Sequence, residues 1–490
     1  MFPPEPPART TPLLVAAVLA SLLVACRTAS PPDAKHLASV KAPAHWIAGP
    51  SWTPAHPPDR DWIGEFRAPG LSDFVERVLA GNKDLKAARA RLEIAEATAR
   101  IIGADLHPQI QGGFSAQRDQ QNFIGLPLPG GVSSRSNRFA LSLNLSWEID
   151  LWGRIRAAKR AAVADFEASG FDRATAELSL AGQAAKTWFA LAESRDQVAL
   201  ARSAIATFAE TETAIRERFE RGIDGNGQNM AAQLLLARGD AATAKEQLAA
   251  RQEIEGRAAR LLEVLAGDYP AGRAGAGAKL PDLPGKVPTG LPATLLDRRP
   301  DLAAAERRIA AADQRLLEAK RSLLPALSLT GSLGSASEDI GDLLSGGFSI
   351  WSLAANATQP IFQGGRLLAN VDRRGSETEL AAAEFEKAAL TAFAEVENAL
   401  SAERLLHQRV AALAEASRLA REAYRRSLEE FEAGTGDPLT VLSAQQRLFA
   451  SRSQWLAARR ALLDNRIDLH LALGGGFRPI AAPAAKTEAR

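Results

Sequence analysis

Two stretches of this chain, residues 150–221 and 364–433, run without a single proline through a pattern rich in Ala, Glu, Arg and Leu. Proline ends a helix interior, because it lacks the N–H donor and clashes with the preceding turn. At about 1.5 Å per residue, each uninterrupted run reaches on the order of 100 Å as one helix. No ordinary globular domain needs a rod of that length. In the second run Phe385, Ala389, Phe393, Val396 and Leu400 fall at spacings of 4, 4, 3 and 4, an amphipathic stripe. Coiled-coil packing of small Ala side chains is the usual way such helices hold together.

Both runs end in the same way. "FERGIDGNGQNMAAQ" (219–233) and "FEAGTGDPLTVLSAQ" (431–445) share Phe, Glu, Gly, Ala and Gln at an offset of 212. "DLKAARARLEIAEATARIIGADLHP" (84–108) has its counterpart in "DLAAAERRIAAADQRLLEAKRSLLP" (301–325), at an offset of 217. Gly153-Arg154 and Gly365-Arg366 return to 212, so the first copy carries a longer loop, the Gly- and Pro-rich "NFIGLPLPGGVSS" (122–134). The chain is therefore a tandem duplication, with copies at 71–270 and 292–475, a connector at 271–291 and a tail at 476–490. Gly222 and Gly434 are expected at positive φ where the long helices end. Asp437 followed by Pro438 reads as N-cap and first residue of the restarted helix.

Each copy is expected to run helix, β-hairpin, very long helix, helix. The strands show a period of two. Phe139, Leu141, Leu143, Leu145 and Trp147 alternate with Ala140, Ser142, Asn144 and Ser146. Strands are expected at about 108–118, 137–148, 325–335 and 348–361. Segments near ten residues suit a tilted strand crossing a bilayer, although a water-exposed hairpin pair would alternate in the same way. If they cross a membrane, four strands cannot close, since a closed barrel takes at least about eight. Unpaired edges are not tolerated in hydrocarbon, so several chains must then combine.

The N-terminus reads as a signal. Residues 13–25, "LLVAAVLASLLVA", are apolar but short for a membrane span, and Leu23-Val24-Ala25 leads into the only cysteine, Cys26. Cleavage of residues 1–25 and acylation of Cys26 fit that arrangement; an ordinary signal peptide with an incidental Cys is the alternative. Residues 26–70 form an extended Pro-rich segment, with Trp46, Trp52 and Trp62 pinning it to the body. Lys plus Arg is 59 against 57 Asp plus Glu, interspersed without a basic block, which argues against a nucleic-acid partner. Six scattered His residues and the lone Cys suggest no metal site, and no cofactor or catalytic motif appears. Trp152, at the junction of strand and long helix, is either an interfacial anchor or core packing.

The segments "LSWEIDLWGRIRAA" (145–158), "LLDRRPDLAAAE" (295–306), "QPIFQGG" (359–365), "GTGDPLTVLSAQQRL" (434–448) and "ALGGGF" (472–477) carry a resemblance to a known family. Across both copies the chain resembles the TolC-like outer-membrane efflux factors, in particular their NodT-type lipoprotein branch. The resemblance implies a mainly α fold with a membrane β-barrel portion: a homotrimer with a shared 12-stranded barrel and a long α-helical tunnel in the periplasm. It also implies the exit duct of a tripartite, RND-type pump, partnered by a periplasmic adaptor and an inner-membrane transporter in the cell outer membrane of a Gram-negative bacterium. Gly222, Gly434 and Asp437 would then form the helical hairpins at the tunnel tip. Relatives narrow the periplasmic mouth with a carboxylate ring; here that position holds Ser443, one turn after Leu439, so these two would form a neutral constriction. A protein-secretion (type I) exit duct keeps the same fold with another cargo, and a structural coiled-coil envelope protein is the remote alternative.

Overall fold

A computed structural model describes residues 43, 45–49, 61–123, 132–221, 227–282 and 295–476. Cys26, Trp52 and Gly222 lie outside the described residues. The element order is α1 (Leu71–Gly81), α2 (Lys83–Ala104), β1 (Gln109–Phe123), β2 (Val132–Ile149), α3 (Arg154–Arg221) and α4 (Gly227–Ala266), then α5 (Pro300–Arg321), β3 (Ala326–Ser337), β4 (Ser349–Thr358), α6 (Arg366–Glu432) and α7 (Pro438–Ala472). The second copy repeats the first element for element from α5 onward, with α1 as the extra short helix.

The long helices hold for the reason their composition suggests. Along α6 the buried residues Ala382, Phe385, Ala389, Ala392, Val396 and Ala399 alternate spacings of 3 and 4. On α3, Ala157, Ala161, Ala164 and Ala168 do the same. A 3.5-residue period keeps one seam of a helix on its neighbour over many turns. Phe393 of the expected stripe is only partly buried, and it is the platform for Trp46. Among the described residues no helix is long and apolar enough to cross a membrane.

Contacts divide the chain into two units. One comprises the sheet and the adjoining helix segments, residues 92–169 and 305–385 among those described. Its sheet has the order β1-β2-β3-β4, all antiparallel, so the two copies meet where β2 pairs β3. Gly364 and Gly365, at φ 58° and 79°, occupy the left-handed region and turn the chain from β4 into α6. The hairpin β1–β2 is longer than its alternation suggests. Phe139 pairs with Ala116, and pairing continues through Arg118↔Asn137 and Gln120↔Arg135 to Phe123↔Val132. Hydrophobic alternation stops at Phe139 while the hydrogen-bond ladder goes on, because a ladder needs backbone groups only.

The other unit, residues 43, 45–49, 61–91, 170–221, 227–282, 295–304 and 386–476 among those described, holds the main apolar core. Phe66, Leu71, Phe189, Leu191, Leu262, Leu463 and Ile467 are buried together there. Asn82 organises the junction of α1 and α2. Its Oδ1 accepts from the amides of Asp84 (2.9 Å) and Leu85 (3.0 Å), and its Nδ2 donates to the Leu265 carbonyl (2.9 Å). Two of the three N-terminal tryptophans lie among the described residues. Trp46 is 3% exposed and tilts against Phe393 at 6.2 Å, while the Ile47 and Ala48 amides each donate to Glu397 at 2.7 Å. Trp62 is equally buried and stacks on His470 at 5.5 Å.

Candidate functional site

Cross-strand partners share a face of a sheet, so the register sorts the side chains. One face collects Ile110, Phe114, Leu141, Leu143, Leu145, Trp147, Leu329, Leu333, Trp351 and Leu353. The other collects Gln111, Ser115, Ser142, Asn144, Ser146, Ser328, Thr330, Ser332, Ser352 and Asn356. On the polar face the Ser332 and Ser352 hydroxyls hydrogen-bond across the pair at 2.8 Å. The apolar face is bare: Ile110 is 68% exposed, Trp351 77% and Leu353 64%. Its extent on β2, from Phe139 to Ile149, matches the roughly 9–11 residues of a tilted strand that crosses a bilayer. Past Phe139 the same face turns polar, at Arg118, Gln120, Arg135 and Asn137. Such a surface suits lipid on one side and water on the other.

The break between α6 and α7 is built from the residues singled out in the sequence. Gly434 has φ 83°, and its amide donates to the Phe431 carbonyl at 3.0 Å. The Thr435 and Gly436 amides both donate to the Glu430 carbonyl, at 3.0 and 2.9 Å, closing the helix end. A Cβ at Gly436 would stand 2.6 Å from the Phe431 nitrogen, so no larger residue fits without moving the backbone. Asp437 then caps α7, accepting from the Leu439 amide at 3.2 Å, with Pro438 in the first turn.

Sequence inspection did not anticipate what ties this hairpin to the first copy. Gln233 Nε2 donates to Asp437 Oδ1 at 3.3 Å. Arg218 Nη1 donates to the Phe431 carbonyl at 3.1 Å, and its guanidinium lies 4.6 Å above the Phe431 ring. Ile215, Leu234, Phe431, Val441 and Leu442 form the apolar cluster beneath. Leu439 and Ser443 are brought to one exposed face of α7, whereas Val441, Leu442, Ala444 and Gln445 are buried. The Ser443 hydroxyl is turned back onto the Thr440 carbonyl at 3.0 Å. With Asp437 committed to its cap and to Gln233, the neutral pair is what this face of the first turns presents.

The buried ions lie further along α7. Arg466, 3% exposed, pairs with Glu403, whose other oxygen accepts from Asn465 Nδ2 at 3.0 Å. Asp464 is less well served: Arg460 stands 3.3 Å from Oδ2, but the buried Oδ1 has no partner. Burial therefore pushes the Asp464 carboxyl up to about 6, against the pull of Arg460 and Lys186. A carboxyl that titrates higher when folded than unfolded stabilises the fold while protonated. Its contribution is then lost as pH rises from about 4 to about 6. Asp464→Asn is expected to raise stability above that window by about 3 kcal/mol, each pKa unit being worth about 1.4, and to change little below it. Thermal midpoints of the two proteins, measured on either side of the window, check this; equal shifts at both pH values would refute the assignment.

A two-faced sheet and long, seam-packed helices are features that an outer-membrane channel of mixed β and α build requires. The chain belongs to the outer membrane efflux protein family, whose profile matches residues 74–267 and 291–475. It is 32% identical over 433 residues to the pyoverdine export outer membrane protein OpmQ of Pseudomonas aeruginosa, covering 86% of this chain and 88% of that one. It is 29% identical over 464 residues to the probable efflux pump outer membrane protein SepC of Pseudomonas putida, covering 92% of each. Among solved structures, the Campylobacter jejuni outer membrane channel CmeC superposes with a TM-score of 0.82 at 26% identity, covering 90% of this chain and 93% of that one. The outer-membrane channel OprN gives the same TM-score and identity, with 92% and 100% covered. The protein is thus an outer-membrane efflux channel of a Gram-negative bacterium, from a family of channels rather than of enzymes.

Proposed function

We propose that three copies of this chain form one passive duct through the outer membrane. Through it, small toxic compounds leave after delivery by a periplasmic adaptor and an inner-membrane transporter. The observation that carries the reading is the sheet: one face apolar and bare, with β1 and β4 each paired on one side only. Inside hydrocarbon those edges need partners, and identical chains supply them by joining β4 of one copy to β1 of the next. Three copies give twelve strands, enough to close around a water-filled lumen lined by the Ser, Thr, Asn and Gln face. The chain has no catalytic role in this reading; the driving force comes from the transporter. Cys26 carries the lipid anchor, and Gly222, Gly434 and Asp437 shape the helical hairpins at the periplasmic mouth, which Leu439 and Ser443 narrow. Relatives named for the export of solvents, antibiotics and pyoverdine support a small-molecule cargo.

One measurement addresses assembly and anchor together. The intact mass of the detergent-solubilised complex is expected to equal three chains, each beginning at an acylated Cys26. A folded, conducting monomer would sink the shared barrel. An unmodified Cys26, or a chain retaining residues 1–25, would sink the anchor and leave the barrel standing.

A further inference from the structure

The bare apolar face of the sheet ends at a group of cations that have too few anions to neutralise them. Leu151 (55% exposed), Trp152 (44%) and Leu324 (42%) are exposed just past the helix-bearing ends of β2 and β3. Trp152 is held there by its indole N–H, which donates to the Pro325 carbonyl at 2.8 Å. Immediately beyond, Arg156 and Arg160 stand one turn apart on α3; Arg156 meets Arg321 from the end of α5 beside Gly153, and the charge of Arg160 also acts on Arg321. A Cβ placed on Gly153 would lie 2.8 Å from Arg321 Nη1 and 3.6 Å from Arg156 Nε, so both guanidinium groups crowd the same glycine.

Asp150 is the carboxylate at this spot, and it is already in use. It accepts from the amides of Ile155 (3.1 Å) and Arg156 (2.9 Å) and from Arg156 Nε (3.1 Å), with only 8% of its side chain exposed. Arg154 is neutralised separately by Glu148 at 2.9 Å and Glu318 at 4.0 Å. Arg321 donates to the Gly153 carbonyl at 2.7 Å, which carries no charge. Burial pushes the Arg321 guanidinium pKa down. The charges of Arg160 and Arg156 add to that, and Asp150 only partly offsets them. Three like charges sharing one saturated carboxylate repel one another, and an outside anion would relieve that repulsion.

We propose that Arg156, Arg160 and Arg321, with Trp152 as the apolar neighbour, form a binding site for the phosphate of an anionic phospholipid in the periplasmic leaflet of the outer membrane. Two features commit the site to lipid rather than to a soluble phosphate. It lies beside the exposed Leu151, Trp152 and Leu324 at the helix-bearing ends of the strands, where that face ends, the depth of a headgroup. A guanidinium presents paired N–H donors that match phosphate oxygens, and the indole and leucines lie where the acyl chains begin. The site would fix the depth of the strands in the membrane from the periplasmic side.

The inference rests on the strands crossing the membrane, and the test separates the two. Full-length protein is reconstituted into phosphatidylethanolamine vesicles holding a minority of phosphatidylglycerol or, as the neutral control, phosphatidylcholine. It is then extracted in mild detergent, and the retained lipid is counted by native mass spectrometry. Phosphatidylglycerol is expected to be retained over phosphatidylcholine, and Arg160→Gln with Arg321→Gln is expected to lose that preference. Each cation near an anionic surface is worth roughly fivefold, so the pair amounts to roughly 25-fold. Added glycerol phosphate should not displace the lipid; displacement would mean a free-phosphate site. Should the double variant misfold, salt decides on the wild type, since retention governed by partly exposed charges must fall as salt rises. Salt-indifferent retention, or a double variant that keeps the wild-type preference, overturns the proposal. So does a double variant that loses its neighbouring copies in lipid-free detergent, which would make the anion a carboxylate of the next chain. Protein that never inserts would instead remove the membrane reading itself.

Discussion

Ser443→Asp is expected to turn a channel that multivalent cations block weakly into one that they block tightly. In the wild type, Leu439 and Ser443 occupy the exposed face of the first turns of α7, and Asp437 is tied to the Leu439 amide and to Gln233. Three copies would bring three neutral side chains to the mouth. Three carboxylates there would focus a negative potential instead. An added attraction of only about 1.4 kcal/mol lowers the blocking concentration about tenfold. Screening shortens the reach of such charges to about 10 Å at 0.1 M salt, so the block should relax at high ionic strength. Single-channel current in planar bilayers, with cations added on the periplasmic side, reads all of this. Strong block of the wild type that vanishes in Asp437→Asn would place the acid ring at Asp437, and the neutral constriction would be wrong.

The largest loss of stability is expected from Phe189→Ala. Phe189 is fully buried, its ring 5.3 Å from that of Phe66, in the cluster that includes Leu191, Leu262, Leu463 and Ile467. Helices from both copies contribute to this core, so a cavity here is felt by the whole unit. Truncating a buried Phe costs about 3–5 kcal/mol, from lost transfer energy plus the void left behind. Leu439→Ala, at a position 42% exposed, should cost far less. Thermal loss of helical circular dichroism for the two variants gives the comparison. Equal midpoints would mean that the core does not limit stability.

Much of this architecture is legible in the residues. The long helices occupy 154–221 and 366–432, close to the proline-free runs that announce them. The reading of Asp437-Pro438 as a helix start needs only neighbouring residues, and the cap forms as such pairs do. The strands were harder. Their apolar stretches stand out, but β1 and β2 continue well past them, where the exposed side chains are polar on both faces and periodicity carries no signal. The ties around the α6–α7 turn were not legible at all. Nothing in "FERG" or "AAQ" says that Arg218 will meet the Phe431 carbonyl, or that Gln233 will meet Asp437, more than two hundred positions away.

The sequence by itself determined the duplication, the rod-like helices, the alternating strands and the turn chemistry between them. All of these are local periodicities or fixed-offset repeats, written in residues that are neighbours in the chain. Only the tertiary structure decided that β2 pairs β3 in a register that puts Leu141, Leu143, Leu145 and Trp147 on the same face as Leu329 and Leu333. It alone showed that Arg466 would be buried against Glu403 while Asp464 keeps an oxygen without a partner. It also brought Arg156 and Arg321 together beside Gly153, with the Asp150 carboxylate already occupied. These outcomes depend on contacts between residues far apart in sequence. Burial and charge there are set by what the fold brings together, and no local pattern records it.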